Sequence, residues 1–467
     1  MTEMTCNGLT RRKFMTALSA APMYAASLAA SRKPNILVIV ADDLGYGELG
    51  CQGNSQIPTP NIDSIARNGT RFTNGYVSAP VCSPSRAGLM TGRYQTRFGH
   101  ELNAIGRQNL RPDVGLPLTE VTVADQLKSA GYATGIMGKW HLGGSPNYHP
   151  RKRGFDEFFG FLHEGHFYVP PTYPDIASHL RPNEPPYDDA NPILRGTRPV
   201  EEKEYLTQAF SREGVSFIDR HADMPFFLYM PYNAIHSPMQ AKLNYVLRFG
   251  DIGDEHRRVF AAMLSSLDDG VGLLLGKLRE RKLEEDTLIF FISDNGGPTA
   301  ELTSSNKPLR GGKGQLWEGG IRIAYMIQWK GHLPAGKVDH RPVISLDTYA
   351  TAIAAAGGKL PQGRVIDGVN LLPYVSGKNS ASPHETLFWR YGGSLALRKG
   401  NWKLVKQAER GGPQPAFQLF DLSRDIAETA DLAAKRPDLA RELRAELDRL
   451  NGQMVEPLWG GRPTKSP

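Results

Sequence analysis

Cysteine is the rarest residue in this 467-residue chain, with only Cys6, Cys51 and Cys82. Three thiols cannot build a disulfide framework, which excludes the small stapled scaffolds that secreted chains often use. Beyond the first thirty residues no stretch reads as long and apolar enough to span a bilayer, so stable membrane insertion is not expected. No basic tract is interleaved with aromatics, so nucleic acid is not an expected partner despite a formal charge of +7. Internal repeats are absent as well, which excludes solenoids and propellers. What remains is ordinary globular composition, 40% hydrophobic and 22% charged, at a length that supports a large core and more than one domain.

Residues 1–30 read as an address rather than as part of the fold. Thr10-Arg11-Arg12-Lys13-Phe14-Met15 precedes a weakly apolar, alanine-rich run that ends in small residues at Ser27, Ala29 and Ala30. This resembles a bacterial twin-arginine (Tat) export signal cleaved near Ala30, which implies the Tat machinery as a partner and a periplasmic or secreted product. Pro22 and the short run argue against a membrane anchor. The segment holds three basic residues and one acidic residue, so its removal takes the charge from +7 to +5. Cys6 would leave with it.

Four short apolar runs carry the architecture: Ile36 to Val40, Tyr132 to Met137, Phe226 to Met230 and Leu288 to Ile292. Each is nearly continuous and rich in β-formers, as central strands covered on both faces are. Each also delivers polar residues directly after its end: Asp42-Asp43, Lys139-Trp140-His141, Asn233 with His236, and Asp294-Asn295. Helical patterns lie between them, notably Val121 to Ala130 and His256 to Arg281. The alternation predicts an α/β domain with a large, mostly parallel or mixed sheet flanked by helices, with ligands bound beyond the carboxyl ends of its strands. Tyr168 to Pro199, proline-rich and aperiodic, reads as a long excursion near the site. A linker is expected at Ser376 to Pro383. Shorter runs follow it: Leu387 to Tyr391, Leu395 to Arg398, Trp402 to Val405 and Phe417 to Phe420. Lys399-Gly400-Asn401 reads as a hairpin turn, and Leu439, Leu443, Leu447 and Leu450 share one helical face. The expected division is 1–30 export signal, 31–378 catalytic α/β domain, and 379–467 a small antiparallel sheet with a packed helix.

Cys82 lies in Pro80-Val81-Cys82-Ser83-Pro84-Ser85-Arg86-Ala87-Gly88-Leu89-Met90-Thr91-Gly92-Arg93. Proline is tolerated in a first helical turn, so the thiol is expected at a helix N-terminus, where free N–H groups favour an anion. The residues alone leave two readings, a small buried apolar side chain or a nucleophile. The Cys-Ser-Pro-Ser-Arg string, followed by Thr-Gly-Arg, resembles the signature of the sulfatases of the alkaline phosphatase superfamily. A second string, Gly131-Tyr132-Ala133-Thr134-Gly135-Ile136-Met137-Gly138-Lys139-Trp140-His141, matches the same family in the expected order. The resemblance implies an arylsulfatase-like sulfuric ester hydrolase. It also implies that a maturation enzyme oxidises Cys82 to formylglycine (3-oxoalanine), whose hydrate attacks sulfur.

Adjacent carboxylates such as Asp42-Asp43 repel unless a cation or proton neutralises them. Hard oxygen donors without histidine suit calcium or magnesium rather than zinc. The plain alternative is that each pair caps a following helix. By resemblance, Asp42, Asp43, Asp294 and Asn295, with converted Cys82, are the cation ligands, calcium being the commoner ion and magnesium the other option. By the same resemblance Arg86 orients the nucleophile and Lys139 holds the sulfate. His141 neighbours the aldehyde hydrate, His236 serves the leaving group, and Lys313, in Gly311-Gly312-Lys313-Gly314, is a second sulfate-binding lysine.

His100 and His166, near motif ends, are candidate substrate contacts. The expected substrate is a sulfated carbohydrate or aryl sulfate. Two rival readings stay open at this point: a phosphomonoester or phosphonate hydrolase on the same fold, and an unmodified, non-catalytic glycan-binding protein.

Overall fold

The computed structural model describes residues 32–170, 173–408 and 415–460, together with Met1, Thr2 and Gly412. The export-signal reading of residues 1–30 rests on Thr10 to Ala30, which lie outside the described residues. The described residues from Lys33 onward make one compact unit.

All four predicted runs are strands of one eleven-stranded mixed sheet. Asn35–Ala41 lies between Thr287–Ser293 and Phe226–Pro231, and Ala133–Lys139 and then Glu157–Phe161 continue on the Phe226–Pro231 side. These five strands are parallel. On the opposite flank Arg322–Gln328 runs antiparallel to Thr287–Ser293, and Thr70–Tyr76 antiparallel to it in turn. All seven residues of Asn35–Ala41 are buried because the sheet is covered on both faces. Side chains alternate across a strand. Ile36, Val38 and Val40 therefore enter one core cluster, while Leu37, Ile39 and Ala41 enter the other.

Two of the helices begin at side-chain caps. Val123–Ser129 starts after Thr122, whose hydroxyl accepts from the Asp125 N–H at 3.0 Å while Asp125 accepts the Thr122 N–H at 2.9 Å. Glu255–Glu280 starts after Asp254, which accepts the N–H of His256 at 2.9 Å. This second helix corrects one expectation: by length and composition it is apolar enough to cross a membrane. Yet 78% of its most apolar window is buried inside the protein, so it is a core helix whose apolar residues face other elements.

The excursion from Tyr168 contributes Ile176–His179, paired antiparallel with Met239–Lys242, and the short strands Leu194–Arg195 and Arg198–Pro199 at the sheet edge. After the 376–383 segment, Thr386–Tyr391, Ser394–Lys399, Trp402–Lys406 and Gln418–Asp421 form a four-stranded antiparallel sheet. The turn between its second and third strands is two residues, Gly400-Asn401, and Gly400 takes the positive φ of 57° that such a turn demands. Helix Pro437–Asn451 packs on this sheet through buried Leu443 and Leu447, with Leu439 and Leu450 partly buried beside them.

A buried ionic network joins the two sheets. Lys403, on the small sheet, places Nζ 3.0 Å from Glu318 Oε1 and 2.8 Å from Glu428 Oε1. Tyr76 on the large sheet donates its hydroxyl to Glu318 Oε2 at 2.7 Å. Burial would raise Glu318, but Lys403, Arg322 and Arg398 outweigh it and hold the carboxyl at about 2. Burial, aided by Glu318, pushes Glu428 up to about 7 against the pull of Lys403. A raised carboxyl stabilises the fold fully below its unfolded value of 4.5, and that contribution is lost as pH rises towards 7. Glu428→Gln is therefore expected to flatten the wild-type decline in stability between pH 4.5 and pH 7. Thermal melts of both proteins across that range check it; parallel pH profiles would contradict it.

Candidate active site

Parallel pairing assembles the site. Ala41 is opposite Ser293 in register, so Asp42-Asp43 and Asp294-Asn295 leave the sheet side by side. The Asp43 N–H donates to Asp294 Oδ1 at 3.1 Å, and Asn295 Nδ2 donates to Asp43 Oδ1 at 2.7 Å. Asp43 sits at φ 64°, a left-handed conformation aspartate tolerates better than most residues. Ser304 holds it there, donating its hydroxyl to the Asp43 carbonyl at 2.9 Å.

Cys82 opens helix Cys82–Thr91, as its sequence context predicts. Gly88 lets this helix lie close to its support, since a Cβ there would sit 2.3 Å from Ser78 Oγ. Ser83 satisfies its N–H on Asn103 Oδ1 at 2.9 Å. The Cys82 side chain is 1% exposed, and its Sγ lies 3.6 Å from Asp42 Oδ1. Burial pushes the thiol far above its ordinary range; Lys139 and Lys313 lower it only partly, and Asp42 and Asp294 add to the rise. Desolvation and the two carboxylates thus oppose a thiolate at this helix N-terminus.

Three cations face the three carboxylates. Arg86 binds Asp294 Oδ2 through Nε at 3.0 Å and Nη2 at 2.7 Å, with Asp42 Oδ2 at 3.4 Å. Lys139 Nζ lies 2.6 Å from Asp42 Oδ2. Lys313 Nζ is 2.8 Å from both Asp43 oxygens. Burial tends to raise Asp42 and Asp43, yet Lys139 and Lys313 respectively lead the charges that bring them below the usual carboxylate range. Asp294 is raised, by burial and then by Asp42, in spite of Arg86.

Both site histidines are kept neutral. Burial, with Lys139, holds His141 well below its ordinary value, and burial, with Lys313, lowers His236. His141 Nε2 bonds the Ala104 carbonyl at 2.9 Å, which makes Nε2 the protonated nitrogen and leaves Nδ1 buried and unpartnered among the described residues. His236 Nδ1 bonds the Ser237 carbonyl at 2.6 Å, so its Nε2 faces Asp43 Oδ2, 3.8 Å away, with a free lone pair. The His236 and Lys313 side chains are 9% and 18% exposed, whereas those of Arg86 and Lys139 are fully buried. The open side of the cluster is thus the Lys313–His236 side.

His100 and His166 are not brought into this cluster. His100 is buried behind Cys82, its Nε2 2.6 Å from Ser83 Oγ and its ring edge-on to Trp459, and burial lowers it to about 3. The Ser83 hydroxyl in turn donates to the His141 carbonyl at 2.6 Å, so this histidine braces the turn that carries the thiol. His166 bonds the Phe167 carbonyl and Asp188 beside the excursion. Sequence reasoning passes over Ser83, Asn103 and Ser304, whose roles come from tertiary contacts that no local pattern announces.

Ligand atoms of Asp42, Asp43, Cys82 and Asp294 all lie within 4.8 Å of one another. Asn295 adds a buried Oδ1 with no partner among the described residues. Oxygen donors at this density fit a hard divalent cation. Sulfur is the one soft donor in the set.

Comparison with known proteins is consistent with this geometry. A family model described as Sulfatase matches residues 34–358. N-acetylgalactosamine-6-sulfatase of Sus scrofa is 36% identical over 414 residues, covering 84% of this chain and 75% of that protein. Arylsulfatase D of Homo sapiens is 30% identical, covering 91% of this chain and 86% of its own. Among solved structures, Ps i-CgsB in complex with k-i-k-neocarrahexaose superposes with a TM-score of 0.83 at 36% identity, covering 93% of this chain and 96% of that one.

Asp42→Asn would leave buried Lys139 without its carboxylate partner at 2.6 Å. Breaking a buried ion pair from one side costs about 3–5 kcal/mol, so a marked drop in Tm is expected. An unchanged melting curve would show that the Lys139–Asp42 pair does not hold the site together.

Proposed function

The chain belongs to the sulfatase family, and we propose that it is an exported hydrolase that removes sulfate from a sulfated carbohydrate. The observation that carries this reading is the convergence of Cys82, three carboxylates, three fixed cations and two neutral histidines at one end of the sheet. The carbohydrate class is supported by likeness to an N-acetylgalactosamine-6-sulfatase and to a protein solved with a neocarrahexaose. Export is supported by the twin-arginine pattern at Arg11-Arg12.

Two additions complete the chemistry in this reading. Conversion of Cys82 to formylglycine would put an oxygen where the soft sulfur now stands, supplying a nucleophile that the protonated thiol is not. A divalent cation, calcium or magnesium, held by Asp42, Asp43, Asp294 and Asn295, would supply charge stabilisation for sulfate oxygens.

The remaining work falls to the chain's own side chains. Arg86 is pinned on Asp294 and cannot swing away, so it presents a fixed charge beneath residue 82. Lys139 and Lys313 each hold an ammonium against a carboxylate and can turn spare N–H donors to non-bridging sulfate oxygens. His141 Nδ1, unprotonated and buried, is an acceptor for a proton released at residue 82. His236 and Lys313, on the open side, serve the departing oxygen. Lys313 carries the proton, because Asp43 leads the neighbours that raise it well above its ordinary value against the opposing effect of burial.

Three measurements test this. Mass spectrometry of the residue-82 peptide from active enzyme is expected to lack the cysteine mass, and Cys82→Ala to release no sulfate from a panel of desalted sulfated oligosaccharides; full thiol mass in active enzyme would refute the reading. Lys313→Ala is expected to slow alkyl sulfates on the order of a hundredfold and nitrophenyl sulfate less, since only the poorer leaving group needs the proton that Lys313 carries. Equal losses on both would remove Lys313 from the leaving-group side.

A further inference from the structure

The loop that carries Lys313 is held in part by residues of the C-terminal sheet region. Its tip, Gly311-Gly312-Lys313-Gly314, has few side chains of its own to pack. Within the large-sheet layer it is tied by the Gly314 N–H to the Pro80 carbonyl at 2.8 Å, and by the Gly319 N–H to the Arg310 carbonyl at 2.7 Å. Asn306 Nδ2 also donates to the Gly311 carbonyl at 3.0 Å, and the Lys313 N–H to the Gly297 carbonyl at 3.4 Å. Further restraints come from residues beyond the 376–383 segment. The Leu316 N–H donates to Gln407 Oε1 at 2.6 Å, and the Glu318 N–H to Glu428 Oε2 at 2.6 Å. Arg310 Nη1 donates to the Glu428 carbonyl at 2.9 Å while its guanidinium stacks 3.7 Å from the Trp317 ring centroid. Trp317 meets Phe420 edge-on at 5.9 Å. Lys403 closes the arrangement, fully buried between Glu318 and Glu428.

A buried lysine is costly unless charges of opposite sign surround it. Here its two partners are the carboxylate at the base of the Lys313 loop and the carboxylate that caps the same loop's backbone. Stabilising the fold does not by itself explain this choice, since apolar side chains could join two sheets as well. What ions and hydrogen bonds add over apolar contacts is direction, which fixes where a glycine-rich loop sits.

We propose that Lys403 and Gln407 of the C-terminal sheet are positioning residues that set Lys313 on Asp43, so that the small sheet is part of the catalytic apparatus. The proposal rests on the reading of Lys313 as a sulfate-binding group. Neither residue touches the reacting atoms; both act through the Arg310–Glu318 loop.

The test is a double-mutant cycle on sulfate release. Lys403→Met and Gln407→Ala are made in the wild-type chain and again in a Lys313→Ala background, with kcat, KM and Tm measured for each. Gln407 is only half-buried, so its variant gives a result even if Lys403→Met fails to fold. In the wild-type background each folded variant is expected to lose on the order of tenfold in kcat/KM, and in the Lys313→Ala background less than about twofold. Equal losses in both backgrounds, or no loss by folded Gln407→Ala, would overturn the proposal and leave a purely structural role. Unchanged activity of Lys313→Ala itself would instead overturn the reading of Lys313, a separate and distinguishable failure.

Discussion

Three carboxylates buried at the tips of two neighbouring strands set the terms for everything around them. Asp42, Asp43 and Asp294 repel one another in a medium that screens poorly. Arg86, Lys139 and Lys313 answer them one for one, each from a different element: the Cys82 helix, the end of Ala133–Lys139, and the glycine-rich loop. The balance is close to neutral. A divalent cation would tip it positive, which is the condition for holding a sulfate ester in a buried place. The same balance pushes the thiol upward, since a thiolate would add a fourth negative charge to the cluster.

The scaffold supplies this cluster through register rather than through local motif. Parallel pairing brings the ends of Asn35–Ala41, Thr287–Ser293, Phe226–Pro231 and Ala133–Lys139 to one edge, in agreement with the rule that open α/β sheets bind ligands beyond their strand carboxyl ends. Behind that edge, Ser83, Asn103, His100 and Ser304 hold the turns in place by hydrogen bonds. The small C-terminal sheet then fixes the Lys313 loop from the far side through Lys403, Gln407 and Glu428. Site and scaffold are thus continuous, and the chemistry depends on contacts made between residues far apart in sequence.

Much of this is legible in the amino-acid sequence. Continuous apolar runs ending in acidic or basic residues, such as Ile36 to Asp43, announce both the central strands and the polar groups at their tips, because burial on both faces forbids polar residues until the strand ends. The Cys82 turn is legible because proline and small residues there leave little choice but a helix start. Pairings across the fold are not. Nothing near Lys403 shows that it is buried, since its partners Glu318 and Glu428 lie 85 and 25 positions away. His100 looks like a pocket residue in sequence because it follows a motif; the structure turns it inward to Ser83. The Glu255–Glu280 helix shows the opposite difficulty, as an apolar helix is the same string whether protein or lipid surrounds it.

The central claim is that the cluster binds sulfate only once a hard cation has made it positive. Calorimetric titration of inorganic sulfate into the purified enzyme, with calcium or magnesium bound and after chelation, tests it most directly. The account predicts that sulfate binds markedly tighter to the cation-loaded enzyme, and by linkage that sulfate tightens cation binding by the same factor. Equal sulfate affinity in the two states would contradict it.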